Sequence, residues 1–453
     1  RKTVREALLY NAILPSFEKH PDHYFYSPTN WSSVCNCGIV AAALCVLDEY
    51  PVEAGKVIDR CIDGNRKVLA SYNPVGGYPE GYGYWSFGTN HEVLLIECLR
   101  TALGSDFGLV ESSSGFKYSA SFILHMNGPF FMGFNYGDNA PEARFHPAVY
   151  WFARETSDPS LLYMEQKFIR SGKDITWGCG PALPPALVWY SKLGKGLITP
   201  PTSLFYENPD PKIPLFIYHS DWESKDAAFL GIRGGSTRKV NHSHIAVGSF
   251  VFYQDQVRWV ADLGTPNYVL AEKHIGHLPL FTRKQDSKRW DVLREGAVGH
   301  SIVTFDNLRP TIDCNCAFIR TFHTKAQKGA LIDLTSMYPG QVKNYLRMIY
   351  LDAEDNLVVT EKIAGGDTDR TVRWNLVSET NATILEDGKV LLEQNGKTRT
   401  LTISCDGKPL KAKVVEPVTD KPYDEPNPGM KFIQCEFTLH SGQTMNIITT
   451  IRK

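Results

Sequence analysis

The hydrophobic period of this chain changes once along its length, and that change limits the fold more than any other feature. Up to about residue 198 apolar residues recur at helical spacing, and beyond residue 215 they alternate. Candidate helices cover 4–19, 31–49, 52–71, 90–103, 141–154 and 161–171. Their starts carry helix signals: Thr29 and Asn30 before Trp31, Pro51 before the third, Thr89 and Asn90 at the fourth, Pro141 at the fifth. Residues 38–47 are apolar on all sides, so that helix should be buried, and the run is too short to cross a bilayer. Two long loops rich in Gly, Tyr and Phe, 72–88 and 112–139, interrupt the helices, and loops of that length are uncommon unless functional.

A Pro-rich stretch with Pro184-Pro185, Pro200-Pro201, Pro209, Pro211 and Pro214 separates the halves. Strand patterns follow at 247–253, 257–263, 301–305, 346–351, 357–363, 398–404 and 432–439. Turn pairs such as Asn395-Gly396 and Asp406-Gly407 lie between them. The expectation is an α+β multidomain chain of helical hairpins followed by an antiparallel β-sandwich, with a cleft where the two meet.

Charge narrows the partners. Lys+Arg 48 against Asp+Glu 49 gives a net charge of −1, with no block of like charge. That argues against a general nucleic-acid binder and against an anionic-membrane binder. The ten cysteines lack a CxxC spacing, and most read as small buried hydrophobes. Aromatics reach 12%, which suits either flat rings stacking on sugars or simply a large aromatic core. No feature sets an oligomeric state.

Four blocks stand out. In 240–250, His242 and His244 would share a face if extended; Asp262 follows an apolar run, and His300 opens a later strand. Two imidazoles and a carboxylate are a common zinc set, and three satisfied polar groups at strand ends would look the same. In 76–88, glycines alternate with Tyr78, Tyr82, Tyr84 and Trp85, a density expected to exclude helix interior. Asn30 either caps the helix at Trp31 or donates to a ligand carboxylate. The block 130–138 either lines a sugar groove or fills a core, ending in a turn at Gly137-Asp138.

Together and in this order, Asn30-Trp31, Pro79-Glu80-Gly81 with Tyr84, His242-x-His244 with Gly248-Ser249-Phe250, Asp262-x-Gly264 and Gly299-His300-Ser301 resemble the heparinase II/III-like polysaccharide lyases. The resemblance implies an incomplete (α/α) toroid over 1–200, a Pro-rich linker over 201–214 and the β-sandwich over 215–453. The helices read here are fewer than such a toroid usually has, so its N-terminal helices are expected to lie outside this chain. The implied chemistry is β-elimination at a uronic acid of an acidic polysaccharide, in a periplasmic or secreted protein. A base takes the C5 proton, a donor neutralises the carboxylate, and an acid protonates the leaving oxygen. By resemblance Asn30 is the neutraliser, Tyr84 the acid or both acid and base, Tyr82 its fallback, and His242 a base or carboxylate contact. Trp31, Glu80, Trp85 and Tyr136 are expected at the substrate, and His244, Asp262 and His300 are expected to hold zinc.

One departure matters. Relatives usually carry Asp two residues after the second histidine, where this chain has Ala246. Loss of that carboxylate is expected to weaken the fixing of an imidazole tautomer, an effect of about 10–100-fold on metal affinity or activity. Two other classes compete: a carbohydrate-binding protein without activity, and a toroid glycoside hydrolase. The hydrolase would need paired carboxylates, for which the loops offer Glu80 and Asp138.

Overall fold

The computed structural model describes residues 2–18, 22–176, 180–193 and 196–453. It has two compact units, one of Arg1–Leu124 with Ala143–Pro201 and one of His125–Glu142 with Thr202–Lys453. Helices dominate the first and antiparallel strands the second, which is the expected fold class.

In the first unit the helix Asn30–Leu44 packs against Pro51–Leu69 and Tyr82–Leu103. Thr29, with an extended backbone, sits at its N-cap position. Pro51 opens the second helix, with Glu53 in its first turn and Arg66 and Lys67 in its last, matching the helix dipole. The third helix starts inside the stretch expected as a loop. Gly81 (φ 86°) turns the chain into it and Gly104 (φ 74°) ends it. Gly83 and Gly88 lie within it, against the expectation that glycines there exclude helix. Gly88 has a packing reason: a Cβ would stand 2.8 Å from Tyr78 Oη and 3.4 Å from Asn30 Cβ. The loop expected over 112–139 likewise contains a helix, Ser119–His125.

The other helix boundaries shift. The helix expected from Pro141 runs over Ala148–Thr156, because Glu142 is drawn into a β-bridge with Met132. The one expected over 161–171 is Tyr163–Arg170 after a 3-10 turn. The last residue of the 4–19 stretch lies outside the described residues.

Glu92 is fully buried on the third helix, and burial pushes its carboxyl up to about 8, against a smaller pull from Ser33. The sign follows directly. The unfolded chain loses this proton near 4.5, so the stability carried by neutral Glu92 is full below that pH and drains as pH rises through 8. Glu92→Gln should therefore exceed the parent by about 1 kcal/mol or more at pH 8, with no gain at pH 4, in urea melts. A gain of equal size at both pH values would show that ionisation is not its source.

The second unit opens with a five-stranded antiparallel sheet in chain order: β1 (Phe205–Asn208), β2 (Leu215–His219), β3 (Phe229–Arg233), β4 (Phe250–Gln254) and β5 (Val257–Val260). β1 falls inside the Pro-rich stretch 201–214. β2, β3 and β4 are buried at every residue, as covered faces require. The strand expected over 247–253 starts only at Phe250, because Gly248 (φ 82°) sits in a turn. A nine-stranded sheet carries the remaining long hairpins. Val342–Leu351 alternates buried with half-buried positions and Thr444–Arg452 buried with mostly exposed ones, the mark of a half-covered sheet. Asn395-Gly396 and Asp406-Gly407 form two of its two-residue turns, all four residues at positive φ. A four-stranded sheet runs Lys413–Val415, Lys431–Leu439, Arg370–Ser378, Val303–Phe305. Trp259, Phe252, Tyr345, Ile349 and Trp374 belong to one core shared by these sheets.

Residues 125–142, within the stretch 1–200 in sequence, pack in the second unit. Tyr253 Oη donates to Gly133 O (3.0 Å), and Asn135 Nδ2 donates to the Asp262 carbonyl (3.2 Å). This loop brings Asp138 to the histidines.

Candidate functional site

The two histidines do not lie on a strand. Residues 241–249 form turns and coil, and His242 has φ 55°, so alternation along a strand does not bring the imidazoles together. Asp138 does. Its Oδ2 lies 3.0 Å from His242 Nδ1 and its Oδ1 lies 2.7 Å from His244 Nε2. The loop carrying it is tied to the same turn: Asp138 N donates to His242 O (2.9 Å), and a Cβ on Gly137 (φ 69°) would stand 2.5 Å from that oxygen. Of the two readings of block 130–138, Tyr136 and Asp138 are both buried, Tyr136 beside Arg233.

Arg289 completes the cluster from the chain well beyond. Its Nη2 donates to both oxygens of Asp138 (3.1 and 2.9 Å) and to Ser243 O (3.2 Å), and its Nη1 donates to Leu280 O (2.9 Å). Its Nε lies 2.7 Å from Glu295 Oε2, an ion-pair contact off the hydrogen-bond line. Burial alone would raise the Asp138 carboxyl. Arg289 and the two imidazoles outweigh it and hold the group well below the usual carboxylate range. Burial lowers His244 to about 4, only partly countered by Asp138, so its imidazole is neutral at physiological pH.

A carboxylate partner for the imidazoles is thus present although position 246 is Ala. It comes from Asp138, more than a hundred residues earlier in the chain.

His244, Asp262 and His300 form a set whose ligand atoms all lie within 4.8 Å of one another, so they could hold a metal ion. His300 Nδ1 contacts Asp262 Oδ2 at 2.9 Å, and Asp262 Oδ1 accepts from Gly264 N (2.8 Å). Burial again works against ionised Asp262, and His300, His244 and the Gly264 N–H together hold its carboxyl below its ordinary value. His244 Nδ1 and His300 Nε2 are buried with no hydrogen-bond partner, which is costly unless something binds there. Two imidazoles, a carboxylate and orphaned ring nitrogens fit a borderline divalent cation. Asp138, His244 and Glu295 make a second close group, but the Arg289 cation already bridges its two carboxylates.

The candidates from the first unit fall in different environments. Asn30 is the first residue of its helix rather than its cap, which is Thr29. Its Nδ2 donates to buried Glu80 (2.7 Å), as does its backbone N (3.1 Å), while Tyr78 Oη donates to the same carboxylate oxygen (3.1 Å). Glu80 therefore orients the Asn30 amide, which keeps a second N–H. Tyr84 sits half-buried in the first turn of the Tyr82–Leu103 helix. Tyr82 is buried: its hydroxyl accepts from Arg144 N (2.9 Å), and burial raises its phenol above the ordinary range. Trp85, expected at the substrate, is fully buried, donates to Ser119 Oγ (2.7 Å) and packs against His146, so it serves the core. Trp31 is exposed, its ring 5.8 Å from that of exposed Tyr24.

In the sequence Asp138 is only a spare carboxylate, and an acid closing an apolar loop at a Gly-Asp turn is its one signal. Arg289 and Glu295 have no local signal, because their role exists only across loops distant in sequence.

The metal set predicts a measurable dependence. Protein purified without chelator is expected to carry close to one zinc per chain by elemental analysis. His300→Ala should lose it and unfold at lower temperature. Clearly substoichiometric metal that does not rise on adding zinc back would count against the site.

No sequence-family model matches this chain, and no curated protein does. Solved structures match strongly. Heparinase III superposes with a TM-score of 0.70 at 11% identity, covering 97% of this chain and 64% of its own. A second heparinase III gives 0.61 at 13%, covering 97% and 62%. Heparan sulfate lyase HepC from Pedobacter heparinus gives 0.58 at 13%, again covering 97% and 62%. The chain spans just under two thirds of the length of these proteins. Over nearly all of its own length it has the fold of the heparinase III and heparan sulfate lyase structures.

Proposed function

We propose that this chain acts as a polysaccharide lyase that cleaves a uronic-acid polymer by β-elimination and leaves an unsaturated uronate end. The observation that carries the reading is the pair His242 and His244 on the one buried carboxylate of Asp138, beside the His244–Asp262–His300 set, in a chain of heparinase III fold.

The difficulty in such a reaction is the C5 proton, which is very weakly acidic beside an ionised carboxylate. Asn30, its amide aimed by Glu80, donates to that carboxylate and favours the developing enolate. His242 contacts the carboxylate or takes the proton, and Tyr84 protonates the departing oxygen or performs both proton transfers. Exposed Trp31 suits stacking on a sugar ring. Zinc on His244, Asp262 and His300 would supply fixed positive charge and order the surrounding loops. A periplasmic or secreted location goes with a polymeric substrate. Among the described residues no helix is long and apolar enough to cross a membrane.

A hydrolase is less well supported. Asp138 is ionised and bonded to two imidazoles and a guanidinium, and Glu80 is buried against Asn30 and Tyr78, so neither is placed as a proton-carrying acid. The test is incubation with a panel of uronans (alginate, glucuronan, glycosaminoglycans), following the ultraviolet absorbance of the new C4=C5 bond. New reducing ends without that absorbance would replace the lyase by a hydrolase. Saturable binding without product would make the protein a carbohydrate-binding relative.

A further inference from the structure

From the clamp around Asp138 we infer that this residue is a positioning residue that imposes opposite tautomers on two neighbouring histidines: Nδ1–H on His242 and Nε2–H on His244. A carboxylate without its proton can only accept, so each ring nitrogen that faces it must donate. The contacts differ in ring atom: Nδ1 for His242, Nε2 for His244. For His244 the lone pair is then left on Nδ1, the buried nitrogen with no hydrogen-bond partner, available to the set shared with Asp262 and His300. For His242 the nitrogen facing Asp138, and 3.2 Å from Tyr268 Oη, is Nδ1, so in the neutral ring the lone pair falls on Nε2, the nitrogen a proton-accepting imidazole would use. One carboxylate thus prepares one ring as a metal ligand and its neighbour as a base.

The surroundings enforce this arrangement. Arg289 donates to both oxygens of Asp138 and to the carbonyl of Ser243, the residue between the histidines, so the acid and the turn are held by one guanidinium. Glu295 lies against the far side of Arg289 and fixes the fork in turn. The Asp138 N–H to His242 carbonyl bond and the left-handed Gly137 keep the backbones in register. Asp138 and His244 side chains are fully buried, so water does not compete for these bonds. The tautomer assignment rests on these contacts and on Arg289 donating to both oxygens of Asp138, while its consequence for metal and catalysis rests on the function proposed above.

The test is long-range proton–nitrogen correlation NMR on protein labelled at its 13 histidines, assigned with His242→Gln and His244→Gln. The parent should show a proton on Nδ1 of His242 and, for His244, a single proton on Nε2. Reversed tautomers, or a His244 ring protonated on both nitrogens at pH 7, would overturn the inference. Asp138→Asn presents one acceptor and one donor group where two acceptors stood, so at least one ring should change tautomer. Affinity for zinc alone, titrated against a chelator, should fall about 10–100-fold. A folded Asp138→Asn with both tautomers and zinc affinity unchanged would also overturn it. Should that variant not fold, the parent spectrum decides by itself. The expected tautomers in a protein that cleaves no uronan would leave this inference standing and remove the lyase; lyase activity with reversed tautomers would do the converse.

Discussion

Replacing Tyr84 by Phe is expected to lower turnover by at least ~10²-fold while the protein stays folded and binds substrate near normally. The change removes one hydroxyl from a half-buried ring in the first turn of the Tyr82–Leu103 helix and leaves its packing. A phenol is a good acid toward a departing alkoxide. Tyr82→Phe should behave oppositely. Its hydroxyl accepts from Arg144 N inside the core, so its loss leaves a backbone donor unpaired at a cost of about 1–3 kcal/mol in stability, with little effect on turnover. Steady-state kinetics and urea melts of the two variants separate the roles. Should Tyr84→Phe keep most of its turnover while Tyr82→Phe or Tyr136→Phe abolishes it, the role assigned to Tyr84 is wrong. An unsaturated product formed by all three variants would assign both proton transfers to histidine.

The largest loss of stability should follow Arg289→Met. The methionine fills much of the same space but leaves Asp138 as a buried carboxylate without its cation, and removes the group that counters the upward push of burial on the Glu295 carboxyl. Breaking a buried ionic network at one member costs about 3–5 kcal/mol. The matched control is Arg238→Met, which removes an exposed pair with Asp313 and should cost about 0–1 kcal/mol. A urea midpoint for Arg289→Met equal to that of the control would mean that Asp138 and Glu295 take up protons and need no cation. Because the anionic form of Asp138 orders both histidines, the same variant should also lose metal.

Much of the fold was legible. The change of period placed helices before strands because side-chain burial follows the 3.6 or 2 repeat whatever the partner element. Asn395-Gly396 and Asp406-Gly407 formed two-residue turns as read, since positive φ at both positions is a local demand. The Tyr/Gly stretch misled for a related reason. Gly88 looked like a helix breaker, yet its missing side chain is what admits Tyr78 and Asn30 beside the helix, and that neighbour is invisible along the chain.

The site divides in the same way. Residue type and spacing singled out His242, His244, Asp262 and His300, because the chemistry of a donor set is carried by the side chains themselves. The sequence by itself therefore determined the fold class, the hairpin turns and which residues could bind or transfer protons. Only the tertiary structure decided what each of them faces. Alternation along a strand was expected to align the two histidines; in fact a positive-φ turn does, with Asp138 between their rings and Arg289 behind it. Trp85 went to the core and Trp31 to the surface although both are tryptophans in aromatic neighbourhoods. The physical reason is common to all of these. Propensity and period act within a few residues, whereas tautomer, charge state and exposure are set by groups folded in from distant parts of the chain.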